Sequence, residues 1–173
     1  MGTLNAIYVR ASDPAKAAAL RVEHPNAYTE PGLEYYAVEL EPTNFVPPEA
    51  DLAGLSARLE TDVLWLGFQS VVDAFQFHHW RSGQHSRALV FGCFHQERTW
   101  ERVEGTPEEW ERSAFFIEKH LGLVLEWANK EEAKEFKRMW RDAVVLPGRT
   151  EPSIDGRESA RKVAEFYRLP GWS

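Results

Sequence analysis

Apolar and polar positions along this chain follow one periodicity in its middle and another at its end. Residues 62–70 (DVLWLGFQS) are apolar on both faces, the pattern of a central strand covered on both sides. Residues 74–81 (AFQFHHWR), 85–94 (HSRALVFGCF) and 98–104 (RTWERVE) follow after short links, so the four segments read as an antiparallel meander. Ser82 and Gly83 fit a two-residue hairpin turn, with glycine supplying the positive φ.

Before the meander, strand and helix patterns alternate. Residues 4–11 (LNAIYVRA) read as a strand. Ser12 or Asp13 then caps a helix with Pro14 in its first turn, and Pro25 stops it. Ala15, Ala18, Ala19 and Val22 fall at helical spacing and predict a stripe lying close on a sheet. Residues 33–40 (LEYYAVEL) read as a second strand, and the three prolines of residues 41–48 mark a loop that cannot serve a ladder. Leu52, Leu55 and Leu59 share one face of a helix over residues 50–59.

After the meander the spacing becomes helical. Thr106 is placed as an N-cap with Pro107 at the first helical position and Glu109 completing a capping box, and Trp110, Ala114, Ile117 and Leu121 continue an apolar face. Residues 121–127 (LGLVLEW) suit a helix end or a short strand. Ala133, Phe136, Trp140 and Ala143 define a further amphipathic helix, and Ala160, Val163, Ala164 and Tyr167 a last one. The expected fold is α+β: a mixed sheet with a central four-stranded antiparallel meander, covered by helices, and a helical C-terminal third. The 173 residues fit one domain over 1–173, with a βαβα unit over 1–60, the meander over 62–105 and a helical part over 106–173.

Composition narrows the function classes. The hydrophobic and charged fractions, 43% and 27%, are those of an ordinary globular protein, and seven tryptophans supply material for a substantial core. A formal net charge of −7, with basic residues interspersed among acids, argues against nucleic acid as a partner. Apolar runs are too short to cross a bilayer, so no membrane is expected. The first residues lack a charged segment followed by a long apolar one, and Ala6 stands where N-myristoylation wants Ser or Thr. The expected compartment is the cytoplasm. One cysteine excludes an internal disulfide.

Candidate chemistry gathers in residues 75–96, which hold four of the six histidines and the only cysteine. With a two-residue turn, strict alternation sets Trp80 opposite His85, His78 opposite Arg87 and Gln76 opposite Leu89. One face then carries Gln76, His78, Trp80, His85 and Arg87, and adjacent histidines point apart. A metal is not expected: Cys93 lies on the order of 25 Å along the strand from His85, and Arg87 repels a cation. Cys93 between Gly92 and Phe94 reads as a small core residue rather than a nucleophile. Asp73 could orient a histidine, though a loop-end aspartate more often satisfies its own backbone. Glu97, Glu101, Glu104, Glu108 and Glu109 read as solvated or capping groups. Trp172 is read as pinning the tail or marking a partner contact. No P-loop, dinucleotide fingerprint, nucleophile elbow or HExxH helix is present, and no cofactor is expected.

The hairpin Trp80-Arg81-Ser82-Gly83 with Arg87 and Leu89, preceded by Ser70-Val71-Val72-Asp73, resembles a pattern in bacterial α/β proteins that carry no assigned function. The resemblance covers only this part of the chain, implies a bacterial cytoplasmic domain and transfers no catalytic residue. The leading expectation is a non-enzymatic binding or regulatory protein acting through the face around Trp80 and Arg87, on a protein partner or a small anionic ligand. The alternative is a small enzyme or ligand-binding protein with an anion pocket on that face and a histidine as general base. Catalytic residues and oligomeric state are left open.

Overall fold

The structure, a computed structural model, describes residues 2–41, 46–95 and 97–172. Strand and helix alternate through β1 (Thr3–Arg10), α1 (Pro14–Glu23), β2 (Tyr35–Glu39) and α2 (Glu49–Leu59). An unbroken run of strands follows: β3 (Asp62–Gln69), β4 (Ala74–Arg81), β5 (Gln84–Phe91) and β6 (Trp100–Gly105). The chain ends in α3 (Glu109–Phe115), α4 (Glu118–Leu125), α5 (Lys130–Asp142) and α6 (Gly156–Tyr167). The segment left between helix and strand, residues 121–127, is therefore helical over most of its length. The proline-rich loop lies partly outside the described residues, since 42–45 are not among them.

The six strands form one sheet in the order β2-β1-β3-β4-β5-β6. The class is α+β and the β3–β6 meander is present, but the sheet is antiparallel throughout rather than mixed. The reason lies in the first crossover. Residues 11–34 bring the chain back to the end of the sheet where β1 finished, so that Arg10 pairs with Tyr35 and the Ala11 amide donates to the Glu34 carbonyl at 2.8 Å. β2 must then run back along β1. Among the described residues no helix is long and apolar enough to cross a membrane.

Both faces of the sheet are covered, and each has its own core. On the first face Ile7, Val9, Val63, Trp65 and Trp80 pack with Leu20 of α1 and Leu52, Leu55 and Leu59 of α2. On the second, Tyr8, Leu64, Leu66, Phe75, Phe77, Leu89 and Phe91 pack with residues of α3, α5 and α6, including Trp110, Trp140 and Val163. The aspartate cap of α1 is as expected: Asp13 accepts from the Lys16 amide at 2.9 Å. Its buried face is not. Ala17 and Leu20 point inward, whereas Val22 is 82% exposed and Ala15, Ala18 and Ala19 face solvent. One leucine removes more apolar surface from water than a stripe of alanines, so it chooses the face. Trp172 pins the tail, donating from Nε1 to the Tyr8 hydroxyl at 3.0 Å and packing on Phe68.

Candidate functional site

The β4–β5 hairpin turns at Ser82 and Gly83, whose φ values of 46° and 86° are those of a type I′ turn. Arg81 pairs with Gln84 and Trp80 with His85, as alternation predicts. The next pair breaks the pattern, because His79 opposes Arg87 and leaves Ser86 without a partner residue. Ser86 is a β-bulge, and its hydroxyl donates to the His79 carbonyl at 3.0 Å. One extra residue inverts every later side chain on β5. Ala88 therefore opposes His78 and Val90 opposes Gln76, in the places expected for Arg87 and Leu89. Gln76, His78, Trp80 and His85 share the first face, whereas Arg87 is on the second.

The first face is not an open surface. Trp80 is 1% exposed, and Gln76 and His78 are equally buried. The His78 ring stacks on His85 with centroids 5.4 Å apart and nearly parallel planes, and His85 stacks on Trp80 at 4.8 Å. His78 Nδ1 lies 3.3 Å from His85 Nε2, so one ring donates and the other accepts. Burial, reinforced by His85 and Arg102, pushes His78 down to about 3. Burial and Arg102 also lower His85. The pair is a neutral aromatic stack. Among the described residues, His78 Nε2 and the neighbouring Trp65 Nε1 have no hydrogen-bond partner.

The second face holds the charge. Arg87 is 2% exposed and makes a two-pronged bond to Glu111, with Nε and an Nη at 2.7 and 2.5 Å from its two oxygens. Two further Arg87 bonds go to the Glu104 and Gly105 carbonyls. The guanidinium is thus fully engaged inside the fold and is not open to a ligand. Burial pushes the Glu111 carboxyl up, and the Arg87 guanidinium opposes it.

Beside this pair lies a second cluster. His79 Nδ1 bonds Glu108 at 2.6 Å and His79 Nε2 bonds Asp62 at 3.2 Å. The other Glu108 oxygen accepts from the Tyr167 hydroxyl at 2.5 Å and from Trp110 Nε1 at 2.7 Å. Burial works against a charged His79, but the two carboxylates outweigh it and raise its pKa. Burial would likewise raise Glu108, yet His79, Tyr167 and Trp110 bring it below its ordinary value. The His79 bond lowers Asp62. The result is an imidazolium between two carboxylates. These occupy opposite ring nitrogens and do not converge on a common point, and among the described residues no group of three or more such side chains forms a metal site.

The start of helix α3 places Glu108 at this cluster. The helix starts two residues later than the Thr106-Pro107 pattern predicts: Glu108 is the N-cap, and Glu111, not Glu109, accepts from the cap amide at 2.8 Å. Thr106 and Pro107 instead form a lead-in along a cavity of 440 Å³ at the hairpin end, lined also by Arg81, Ser86, Glu108, Phe166 and Tyr167. His85 lines it too, although its ring is stacked on Trp80 on the other face. Arg81 stands at this cavity with its side chain 59% exposed. It makes long ion pairs with Glu108 and Asp62, at 3.7 and 3.8 Å, beyond hydrogen-bond distance. Its Nε is 3.5 Å from His79 Nε2, a contact between two N–H groups when His79 is charged.

Three residues of this cluster, Asp62, Glu108 and Tyr167, escape sequence reasoning. The one signal the sequence offers is register: Asp62 pairs directly with Arg81 across β3 and β4. Two other candidates resolve simply. Cys93 is pushed up to about 12 by burial, which leaves its thiol protonated and unreactive. Asp73 forms an ion pair with Arg98 at 3.4 Å and orients no histidine. Searches against family models, curated proteins and solved structures return no match to this chain.

Proposed function

We propose that this chain is a non-enzymatic binding protein whose ligand is a small anion, a carboxylate or phosphate, held at the hairpin-end cavity by Arg81. This keeps the binding reading of the meander hairpin but moves the anchor from Arg87 to Arg81. The observation that carries it is the Arg81 guanidinium: exposed at a cavity and held to Asp62 and Glu108 only by long ion pairs of 3.8 and 3.7 Å, which a closer oxyanion can replace. A guanidinium in that state offers its planar fork to an oxyanion. Glu108 on the cavity wall does not repel the ligand strongly, because the His79 imidazolium offsets its charge. Phe166, half exposed in the cavity lining, suits a ligand that adds an apolar part to its charge.

The enzymatic alternative rests on the hydrogen-bonded chain from Asp62 through His79 and Glu108 to Tyr167. Geometry weighs against it. Both imidazole nitrogens are bonded to carboxylates and Glu108 accepts three bonds, so neither group is free to take a proton from a substrate.

Thermal shift and calorimetry with inorganic phosphate, citrate and benzoate test the proposal. Ligand at a hundred times its Kd adds about 2.7 kcal/mol of stability, and the gain disappears in Arg81→Gln. A gain that survives Arg81→Gln, or no gain from any anion, sinks the reading.

A further inference from the structure

Helix α4 is apolar in sequence (EKHLGLVL) yet has no buried residue. Beside it lies a groove of 540 Å³ between α4, the start of α5 and residues 150–153. Leu123, Val124, Trp127 and Phe136 give it apolar walls, and Trp127 is 88% exposed. A tryptophan left in water on an apolar groove marks a contact surface, because large exposed apolar patches are rare on soluble domains.

The charges on the groove select among possible occupants. Glu132 and Glu151 line it, and neither has an ion-pair partner among the described residues. Their neighbours do: Glu131 pairs with Lys134, and Glu135 with Arg149. Among the described residues no lysine or arginine lines the groove. Lys134 and Arg149 are thus already committed, while Glu132 and Glu151 each accept a backbone amide, of Asn129 and of Ser153, and among the described residues no cation balances them. A second copy of this chain would bring the same two carboxylates and a further net charge of −7. An anionic membrane would set lipid phosphates against them.

We infer that this groove docks a basic amphipathic helix of a protein partner. The helix seats its apolar face between Leu123, Val124 and Phe136, with lysine or arginine reaching Glu132 and Glu151. Trp127 closes over the seat and faces a cation. This surface is separate from the Arg81 cavity and stands whether or not an anion binds there.

The test is fluorescence anisotropy with a labelled amphipathic peptide of leucine and lysine at helical spacing, against a matched leucine and glutamate peptide. The intact chain binds the lysine peptide at least about tenfold more tightly. Trp127→Ala, and separately Glu132→Gln with Glu151→Gln, each weaken it by about the same factor. A control pair on the opposite side of the sheet, Glu23→Gln with Asp51→Asn, leaves affinity unchanged. Equal binding of both peptides, retention in the carboxylate variants or an equal loss in the control pair overturns the inference. So does binding to vesicles of anionic lipid that Trp127→Ala abolishes, or a dimer that Trp127→Ala dissolves.

Discussion

Gly105 lies against the backbone of Ser86 so closely that a β-carbon on it would stand 1.9 Å from the Ser86 carbonyl oxygen. The contact ties the end of β6 to the bulge that turns Arg87 to the second face. Gly105 also has a φ of +80°, which L side chains rarely adopt. Gly105→Ala is therefore both strained and blocked, and its cost is about 3 kcal/mol or more in urea denaturation. Gly122 in α4 has nothing within 4 Å of where its β-carbon would be. Gly122→Ala is expected to stabilise by about 0.5 to 1 kcal/mol, since it only removes freedom from the unfolded chain.

His78 and His79 are adjacent but titrate in opposite senses, because alternation sends one into a neutral stack and the other between carboxylates. His79 is raised above 6.5. Its stabilisation is complete below that value and is lost as pH rises through the folded pKa. His78 is lowered from 6.5 to about 3. Below 6.5 the unfolded chain takes a proton that the native His78 refuses, so stability falls by about 1.4 kcal/mol per pH unit from this residue alone. Denaturation curves for His78→Gln and His79→Gln against the parent chain should show opposite pH trends. The stability difference for His78→Gln shrinks as pH falls from about 7 to 4.5, and that for His79→Gln grows as pH falls from the alkaline side towards 6.5. Asp62 and Glu108 are both held below their ordinary values, so their stabilisation is lost only as pH falls from the ordinary carboxylate range, at the acid end of the His78 window and well below that of His79. Parallel trends would mean that His79 is not the imidazolium described.

The Tyr167 hydroxyl gives Glu108 one of its three donors, on a carboxylate that is only 8% exposed. Tyr167→Phe removes that donor and keeps the ring packed on Phe77 and Tyr35. The expected loss is about 1.5 to 3 kcal/mol, the range for a hydrogen bond to a charged group, read from the urea midpoint at constant m-value. The carboxylate loses support in its ionised form, so acid unfolding also begins at higher pH.

What the sequence shows of this fold is what local periodicity carries. Strands β3 to β6, the Ser82-Gly83 turn, the Asp13 cap and the leucine face of α2 depend on residues near one another, and each is legible. The bulge is not. Serine at position 86 has no property that marks it as an extra residue, and its seat depends on Gly105, which arrives from β6. The parity of Arg87 follows from that one residue, so a correct turn still leads to the wrong face. The His79 cluster is harder still, since Asp62, Glu108 and Tyr167 come from β3, the lead-in to α3 and the end of α6. Glu108 has the look of a cap, and it is one; its burial against His79 is a tertiary fact with no local signature.

Arg87 and Glu111 offer the sharpest separation between structural and binding roles. Both are buried, and their carboxylate–guanidinium bond has no opening to solvent. Removing one partner leaves the other charged, desolvated and unpaired. Arg87→Met alone is therefore expected to cost about 3 to 5 kcal/mol, and Glu111→Leu alone a similar amount. Replacing both removes two desolvation costs together with one attraction, so the double variant should be far more stable than the sum of the two losses implies. It does not return fully to the parent, because the Glu104 and Gly105 carbonyls and the Glu108 amide also lose partners. A double-mutant cycle by urea denaturation reads the coupling directly. Anion binding in the folded double variant should match the parent, since Arg81 and not Arg87 faces the cavity; loss of binding by the folded double variant would return Arg87 to the site.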